Sequence, residues 1–162
     1  MQATQIVGSR PEVLKLAGIK TASVSGAVGP TWKEIAWASV DLNTLGAGLS
    51  NGKIYLATPG LYDVSAQIYP APPAAGSEIS MYFGLFDHGA TGTGDTLLRV
   101  SNQYFPGGMH PSVSLHVALN VSAASYYSFR WYFLDGAAVS DTLQLQQSAI
   151  YCGASVLLVR KS

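Results

Sequence analysis

The sequence predicts an all-β domain, an antiparallel β-sandwich or barrel, and three observations carry this prediction. Short segments of alternating apolar and polar residues recur along the chain, turn residues separate them at roughly even spacing, and no long amphipathic helix is visible. The clearest alternation runs from Leu61 to Tyr69, where Tyr62 and every second residue as far as Ile68 are apolar. One face of this segment is therefore expected to pack on a core while the other faces outward.

Each predicted strand ends where the local residues interrupt a β-ladder. Asn51 and Gly52 form a turn before a short strand, and Pro70 is the first of three prolines that end the strand before it. The segment 126–134 is the most aromatic one, with four aromatic rings on one face. In chain order, the predicted strands are 34–42, 53–57, 61–69, 79–87, 96–104, 112–120, 126–134, 142–146 and 149–160.

The first 30 residues differ from the rest, and we expect 1–30 to form an N-terminal arm or outer strand, with the sandwich domain at 31–162. Pro11 suits the first position of a helix, so one helical turn is expected from Glu12 to Leu16. Two interpretations of the whole segment stay open. It is either an extended arm that docks on a neighbouring subunit or an outer strand with a frayed terminus.

The low charge content argues against several classes of partner. Charged residues make up 11% of the 162 residues, hydrophobic residues make up 48%, and the formal net charge is zero. Because soluble proteins average roughly a quarter charged residues, we expect copies of the chain or a partner to cover part of the surface. A monomer with a Ser, Thr, Gly and Gln surface is the alternative. Without a basic patch, the usual driving force for binding nucleic acid or an anionic membrane is missing.

The single cysteine, Cys152, excludes an internal disulfide framework and a multi-cysteine zinc site. It lies on an apolar strand face, where a buried and inert thiol is expected. The chain shows neither a signal peptide nor an apolar run long enough to span a bilayer, so we expect synthesis in a cytoplasm.

Three segments together resemble a known family. Glu34 to Asn43 is similar to the family's first strand and its Asn-bearing loop, and 57–62 is similar to an Ala/Thr-Pro-x-Gly-x-Tyr sequence with the spacer shortened. The Leu-rich segment from Tyr151 to Leu158 resembles the closing strand. Over about 33–160, the chain therefore resembles the jelly-roll heads of the complement-one-q and tumour-necrosis-factor superfamily.

This resemblance implies a jelly-roll sandwich that forms a compact homotrimer around a three-fold axis. Outward-facing tyrosines are then candidates for the trimer interface, and Tyr126, Tyr132 and Tyr151 are the expected group. The alternative is that these rings lie in loops or are exposed singly. Related heads also occur on bacteriophage particles, as capsid decoration proteins and as fibre tips. The missing collagen-like stalk and signal peptide favour a virion protein.

No motif in the sequence indicates catalysis, a cofactor or a metal. The three histidines, His88, His110 and His116, show no metal-binding spacing, and we expect them to be solvated. The Gly-rich loop between Asp87 and Asp95 is interpreted as a hairpin loop, with a calcium site as the less favoured alternative. The nine acidic residues are scattered singly, which argues against a pair of carboxylates for glycoside cleavage.

These observations predict a non-enzymatic structural protein that decorates a bacteriophage capsid as a homotrimer, with the major capsid protein as its partner and the virion as its location. The first alternative is a receptor-binding head of a phage fibre that recognises a host-surface saccharide through Tyr104 and Phe105 beside the Pro106-Gly107-Gly108 turn. This alternative requires an exposed Phe105. The competing interpretation is that the Phe105 ring is buried and closes the end of the barrel. The second alternative, a polysaccharide-degrading enzyme, is the least favoured.

Overall fold

The computed structural model describes residues 11–20, 23–25, 31–70, 78–106, 112–135, 142–145 and 152–162. These residues form strands connected by turns and loops. The strands are β1 Val13–Ile19, β2 Ser23–Ser25, β3 Lys33–Glu34, β4 Trp37–Asn43, β5 Gly48–Ser50, β6 Lys53–Leu56, β7 Gly60–Ile68, β8 Glu78–Asp87, β9 Thr96–Pro106, β10 Val113–Val121, β11 Ser125–Asp135, β12 Thr142–Gln144 and β13 Gly153–Lys161.

Two antiparallel sheets pack face to face. The five-stranded sheet has the order β10-β7-β13-β1-β4, and the six-stranded sheet follows the order β5-β6-β11-β8-β9, with β3 also paired to β11. Strands β2 and β12 form a separate pair. The predicted antiparallel β-sandwich is therefore confirmed, and the non-sequential strand order explains why the sequence alone did not give the sheet membership.

The helical turn predicted from Glu12 to Leu16 is wrong, because this part of the chain belongs to β1. Strand β1 is hydrogen-bonded to β13 on one side and to β4 on the other, so it is an interior strand of the five-stranded sheet. Leu14, Leu16 and Ile19 are buried in the core. The segment 13–19 is thus neither an arm nor an outer strand. Residues 1–10 lie outside the described residues, and an arm formed by them stays a prediction.

The core lies between the two sheets and is filled by the alternate residues of each strand. Strand β11 contributes Phe129 and Trp131, and β8 contributes Phe83, all at most 2% exposed. Strand β7 contributes Tyr62, whose hydroxyl donates to the backbone carbonyl of Thr58 at 2.6 Å. The four aromatic rings predicted on one side of 126–134 therefore point into the core.

The sandwich has two lateral sides, where the edge strands of the two sheets meet. On one side β4 and β5 are neighbours, joined by a short loop. In this loop the Asn43 side-chain amide donates a hydrogen bond to the carbonyl of Ala47 and accepts one from the Ala47 N–H. On the other side β10 lies against β8 and β9. The Asn51-Gly52 turn closes the β5–β6 hairpin, and both residues have the positive φ that a two-residue hairpin turn of type I′ requires.

No segment of the described chain is a helix long and apolar enough to cross a membrane.

Candidate functional site

The outer face of the six-stranded sheet is covered by aromatic rings from the chain itself. We call it the aromatic face. Tyr82 and Tyr132 stack with centroids 4.5 Å apart and planes 8° from parallel, and Trp32 meets Tyr132 edge-on at 4.5 Å. Tyr55 and Tyr126 form a second pair at 4.6 Å. These rings bury one another on the sheet, and such pairs contribute beyond the area that they bury.

The aromatic face contains two of the three tyrosines that the sequence assigned to a trimer interface. Tyr126 and Tyr132 point outward as expected, yet each is only partly exposed and already contacts a ring of the same chain. Burial raises the pKa of the Tyr132 hydroxyl, with a smaller contribution from Tyr82. Their contact with another copy stays a prediction. Tyr151 lies outside the described residues.

Arg130 anchors the centre of the aromatic face. Its guanidinium forms an ion pair with Asp95, lies 3.6 Å from a carboxylate oxygen of Glu34, and sits 4.7 Å from the centre of the Phe86 ring. The Arg130 side chain is only 18% exposed, so both carboxylates and the ring contact a largely desolvated cation. This cluster connects β11, the chain before β4 and the loop between β8 and β9.

The two carboxylates that flank the loop between β8 and β9 both make contacts within the chain. Asp87 accepts hydrogen bonds from the N–H of Gly89 and the hydroxyl of Ser125, and Asp95 is paired as described above. No group of three or more His, Cys, Asp or Glu side chains that could hold a metal occurs in the described part of the chain. The preferred interpretation, a plain hairpin loop, agrees with these contacts.

His88 differs from its expected state, because it is buried instead of solvated. It is 1% exposed, and its Nδ1–H donates to the carbonyl of Gly94 at 2.6 Å while Nε2 lies 2.8 Å from the Ser128 hydroxyl. The Nδ1 contact therefore closes the loop, and the Nε2 contact holds it onto β11. His116 is exposed as expected, and His110 lies outside the described residues.

The outer face of the five-stranded sheet has a different composition, and we call it the small-residue face. Small and polar side chains alternate outward on neighbouring strands, and they line an open groove of about 410 Å³. No ring pair covers this face among the residues described. The residues that line the groove from the outer face are Ser65, Gln67, Ser114, His116, Gly153 and Ser155.

The small-residue face carries one acid–histidine contact but no catalytic arrangement. His116 Nε2 contacts Asp63, and the two side chains are 71% and 46% exposed. Among the hydrogen bonds of the described residues, none joins a serine to His116, so the nucleophile–base contact that a triad requires is not formed there. Cys152 is buried, and burial raises the pKa of its thiol. The prediction of a buried thiol at this position is confirmed.

The edge strand β9 exposes several large apolar side chains, of which Leu97 lies over Gly84 beside Trp32 on the aromatic face. Leu97, Leu98 and Val100 are 43%, 39% and 42% exposed, and among the described strands β9 is hydrogen-bonded on one side only, to β8. Single exposed apolar residues are ordinary, but several of them on one edge strand are typical of an interaction surface or an aggregation hazard. This surface was hard to predict from the sequence, because apolar and polar residues alternate only weakly over 96–104.

Tyr104 and Phe105, the predicted saccharide contacts, lie within β9 and face opposite ways. Tyr104 is 55% exposed, and its hydrogen bond to the Glu78 carboxylate raises its pKa. Phe105 pairs with Ile79 and is 5% exposed in the core. Phe105 is therefore buried, as the interpretation that competes with the saccharide alternative expects, because a one-residue step along a strand reverses the side-chain direction.

Several solved structures are similar in fold to this chain. No family model and no curated protein matches the chain in sequence. In structure, the chain is similar to Eiger TNF from S. frugiperda, with a TM-score of 0.66 and 17% identity, covering 94% of this chain and 96% of the other. Murine APRIL gives a TM-score of 0.69 at 12% identity, with 93% and 100% covered.

The globular domain of the zebrafish complement 1qA protein is a third similar structure. Its TM-score is 0.66 at 10% identity, with 94% of this chain and 100% of that domain covered. The predicted jelly-roll fold of the tumour-necrosis-factor and complement-one-q type is thereby confirmed. At these identities the likeness concerns the fold alone.

Proposed function

We propose that the protein is a non-enzymatic structural protein that decorates a bacteriophage capsid as a homotrimer. The observation that carries the proposal is that the described residues leave two surfaces open, the apolar edge of β9 and the small-residue face. Trimers are typical of this fold. Among the described residues, the serine–histidine contact of Ser128 with His88 is buried away from solvent and no metal-binding cluster occurs, which favours a role in binding over a role in catalysis.

The two surfaces lie on different sides of the sandwich, so a contact between them is head-to-tail. Leu97, Leu98 and Val100 project from the edge strand β9, whereas the groove beside Ser65 and Ser155 lies on the outer face of the five-stranded sheet. Small side chains let a neighbour approach the sheet closely. A head-to-tail contact closes into a ring when its rotation fits, and a three-fold ring buries both surfaces on every copy.

The interface would resemble other specific interfaces in size and composition. A stable contact buries about 800 Å² on each partner, with an apolar centre and a polar rim. The leucines of β9 supply an apolar centre, and His116 with Asp63 supplies polar groups at the groove. Association through β9 also removes an open sheet edge, which otherwise promotes aggregation.

The capsid role rests on the resemblance to heads found on phage particles and on the low content of charged residues, 11% of the chain. Residues 1–10 are the part of the predicted arm that precedes β1. The experiment that tests this role removes only residues 1–10, because deleting 1–30 would also remove β1 from the middle of its sheet. We expect the shortened chain to remain a trimer and to lose binding to purified capsids in co-sedimentation.

Two outcomes would separate the parts of the proposal. Full capsid binding by the shortened chain contradicts a role for the arm, and no capsid binding by the complete chain contradicts decoration altogether. A copy number of hundreds per particle supports decoration, whereas tens or fewer supports a fibre position.

One observation favours the second candidate, a receptor-binding head. Tyr104 presents an exposed ring on β9, and exposed aromatic rings can stack on sugars. Tyr104→Ala should abolish binding to host-surface glycan in this case, and Tyr104→Phe, which keeps the ring, should retain it. Equal glycan binding by both variants and the unchanged protein would contradict a saccharide site at Tyr104.

A further inference from the structure

The edge strand β9 carries one cation that has no ionic partner in the described chain. Arg99 is the only charged side chain between Thr96 and Pro106, and it is exposed. It takes part in none of the ion pairs that the described residues form. Arg130 in the same sheet is held by two carboxylates and is mostly buried, so Arg99 differs from it in being available to another molecule.

The direction of the Arg99 side chain places it on the lateral side of the sandwich, where β9 and β10 meet. Arg99 is paired with Leu85 across the β8–β9 ladder, and Leu85 is buried in the core. Paired residues of an antiparallel ladder lie on the same face of the sheet, so Arg99 lies on the inner face of the six-stranded sheet. It is nevertheless exposed, since β9 ends this sheet among the described strands. Strand β10 lies against this part of β9.

The small-residue face carries the opposite charge beside its groove. Asp63 points outward from β7, between the buried Tyr62 and Val64, and its side chain is 46% exposed. One of its carboxylate oxygens contacts His116, which lines the groove, and the other has no partner among the residues described. In the described part of the chain, Asp63 is the one carboxylate that is hydrogen-bonded to a side chain lining the groove.

We propose that Arg99 of each copy binds the Asp63 carboxylate of the next copy in the head-to-tail homotrimer. This inference rests on the proposed homotrimer and names the charged contact that sets its register. The β9 edge supplies the cation and the face that receives this edge supplies the anion, so the two surfaces are complementary in charge. The guanidinium donates to the carboxylate oxygen that His116 leaves free. Charge pairs of this kind orient an interface and exclude wrong partners.

An exposed charge on an edge strand also has a simpler role, which is to prevent the edge from pairing with other chains. In that role the sign of the charge does not matter, because a carboxylate blocks the edge as well as a guanidinium does. In a contact with Asp63 the sign is decisive. Reversing the charge of Arg99 therefore separates the two roles.

The experiment exchanges the two charges and measures association of the complete chain by sedimentation equilibrium at low ionic strength. Arg99→Glu places two carboxylates opposite each other, and Asp63→Arg places two guanidinium groups opposite each other. Each variant should raise the concentration at which half of the chains are trimeric by about tenfold or more, because like charges in an interface repel. The double variant restores opposite charges at every contact and should return this concentration to within about threefold of that of the unchanged protein.

Lys33→Glu is the matched control, because it reverses an exposed cation on β3, which β11 and β8 separate from β9. It should associate like the unchanged protein, and added salt should reduce the loss in both single variants by screening the charges. Unchanged association of both single variants, or a double variant no stronger than the weaker single one, would overturn the pair while the trimer stands. An unchanged protein that stays monomeric would contradict the proposed trimer and the pair with it.

Discussion

The two outer faces of the sandwich differ in how far side chains of the same chain cover them. The aromatic face is covered from within, since Trp32, Tyr82 and Tyr132 pack on one another and Arg130 is held by two carboxylates. The small-residue face has no such cover in the described chain and leaves an open groove of about 410 Å³. Both faces lie on well-paired sheets, so the difference arises from side chains and not from the backbone.

This difference shows that aromatic content does not by itself identify an interface. From the sequence, Tyr126 and Tyr132 are attractive interface residues because large rings are enriched at interface centres. In the structure their rings already have partners in the same chain. The surface that lacks cover is the one made of serines and a glycine, which the sequence marks only as a polar strand face.

The largest effect is expected from filling the small-residue face. Ser155→Trp places a large ring in the groove on the central strand β13, where it should block a neighbouring copy and weaken association by ~100-fold or more, as loss of a central contact does. Ser80→Trp makes the same substitution on the outer side of β8 and serves as the matched control. Sedimentation should show monomer for Ser155→Trp and trimer for Ser80→Trp. The reverse result would assign the interface to the aromatic face.

Removing a ring from the aromatic face should destabilise each chain without dissociating the trimer. Tyr132→Ala loses contacts with both Tyr82 and Trp32, and we expect a decrease of about 2–3 kcal/mol in the free energy of unfolding, below the value for a fully buried ring. Tyr104→Ala, on an exposed ring, should change it by no more than about 0.5 kcal/mol. Urea titration measures both. Equal losses of stability in Tyr132→Ala and Tyr104→Ala would contradict the conclusion that rings of the same chain cover Tyr132.

Alkaline pH should lower stability through buried tyrosines. Burial is the main cause that raises the pKa of Tyr62, Tyr127 and Tyr132 in the folded chain. The unfolded chain releases these protons near pH 10, so the full stability holds below that pH and is lost as pH rises through the folded pKa values. Thermal unfolding between pH 8 and 11 should show the decline, and Tyr132→Phe should make it shallower. An identical slope in Tyr132→Phe would argue that Tyr132 is accessible.

The smallest effect is expected at the exposed pair on the small-residue face. His116→Ala removes an ion pair whose members are 71% and 46% exposed, so the free energy of unfolding of the monomeric chain should change by less than about 1 kcal/mol. Measured in the Ser155→Trp background, this value isolates the chain from its neighbours. A larger loss would mean that the His116–Asp63 pair stabilises the fold of the single chain.

Much of the fold was predictable because alternation of apolar residues reports which side of a strand is buried. The segments around β7, β10 and β11 were found this way, and their inward residues are buried as expected, except for the half-buried Val117. Strand β1 was missed because its Val-Leu-Lys-Leu-Ala run is nearly all buried, and a short apolar run does not distinguish helix from strand. Pro11 then favoured a helical start.

The site was less predictable, because it depends on contacts between distant segments. The burial of His88 depends on Ser128, forty residues away, and the cover over Tyr132 depends on Trp32, one hundred residues away. The exposed edge of β9 follows from its place at the end of the sheet, which strand order alone decides. No periodicity in the local sequence encodes that position.

The most direct test of the account is sedimentation equilibrium of the complete chain over a wide range of concentrations. The account predicts a species three times the 17.0 kDa mass of the chain, which falls to one chain in Ser155→Trp. A single 17.0 kDa species at all concentrations, with the small-residue face and the β9 edge open to solvent, would contradict it.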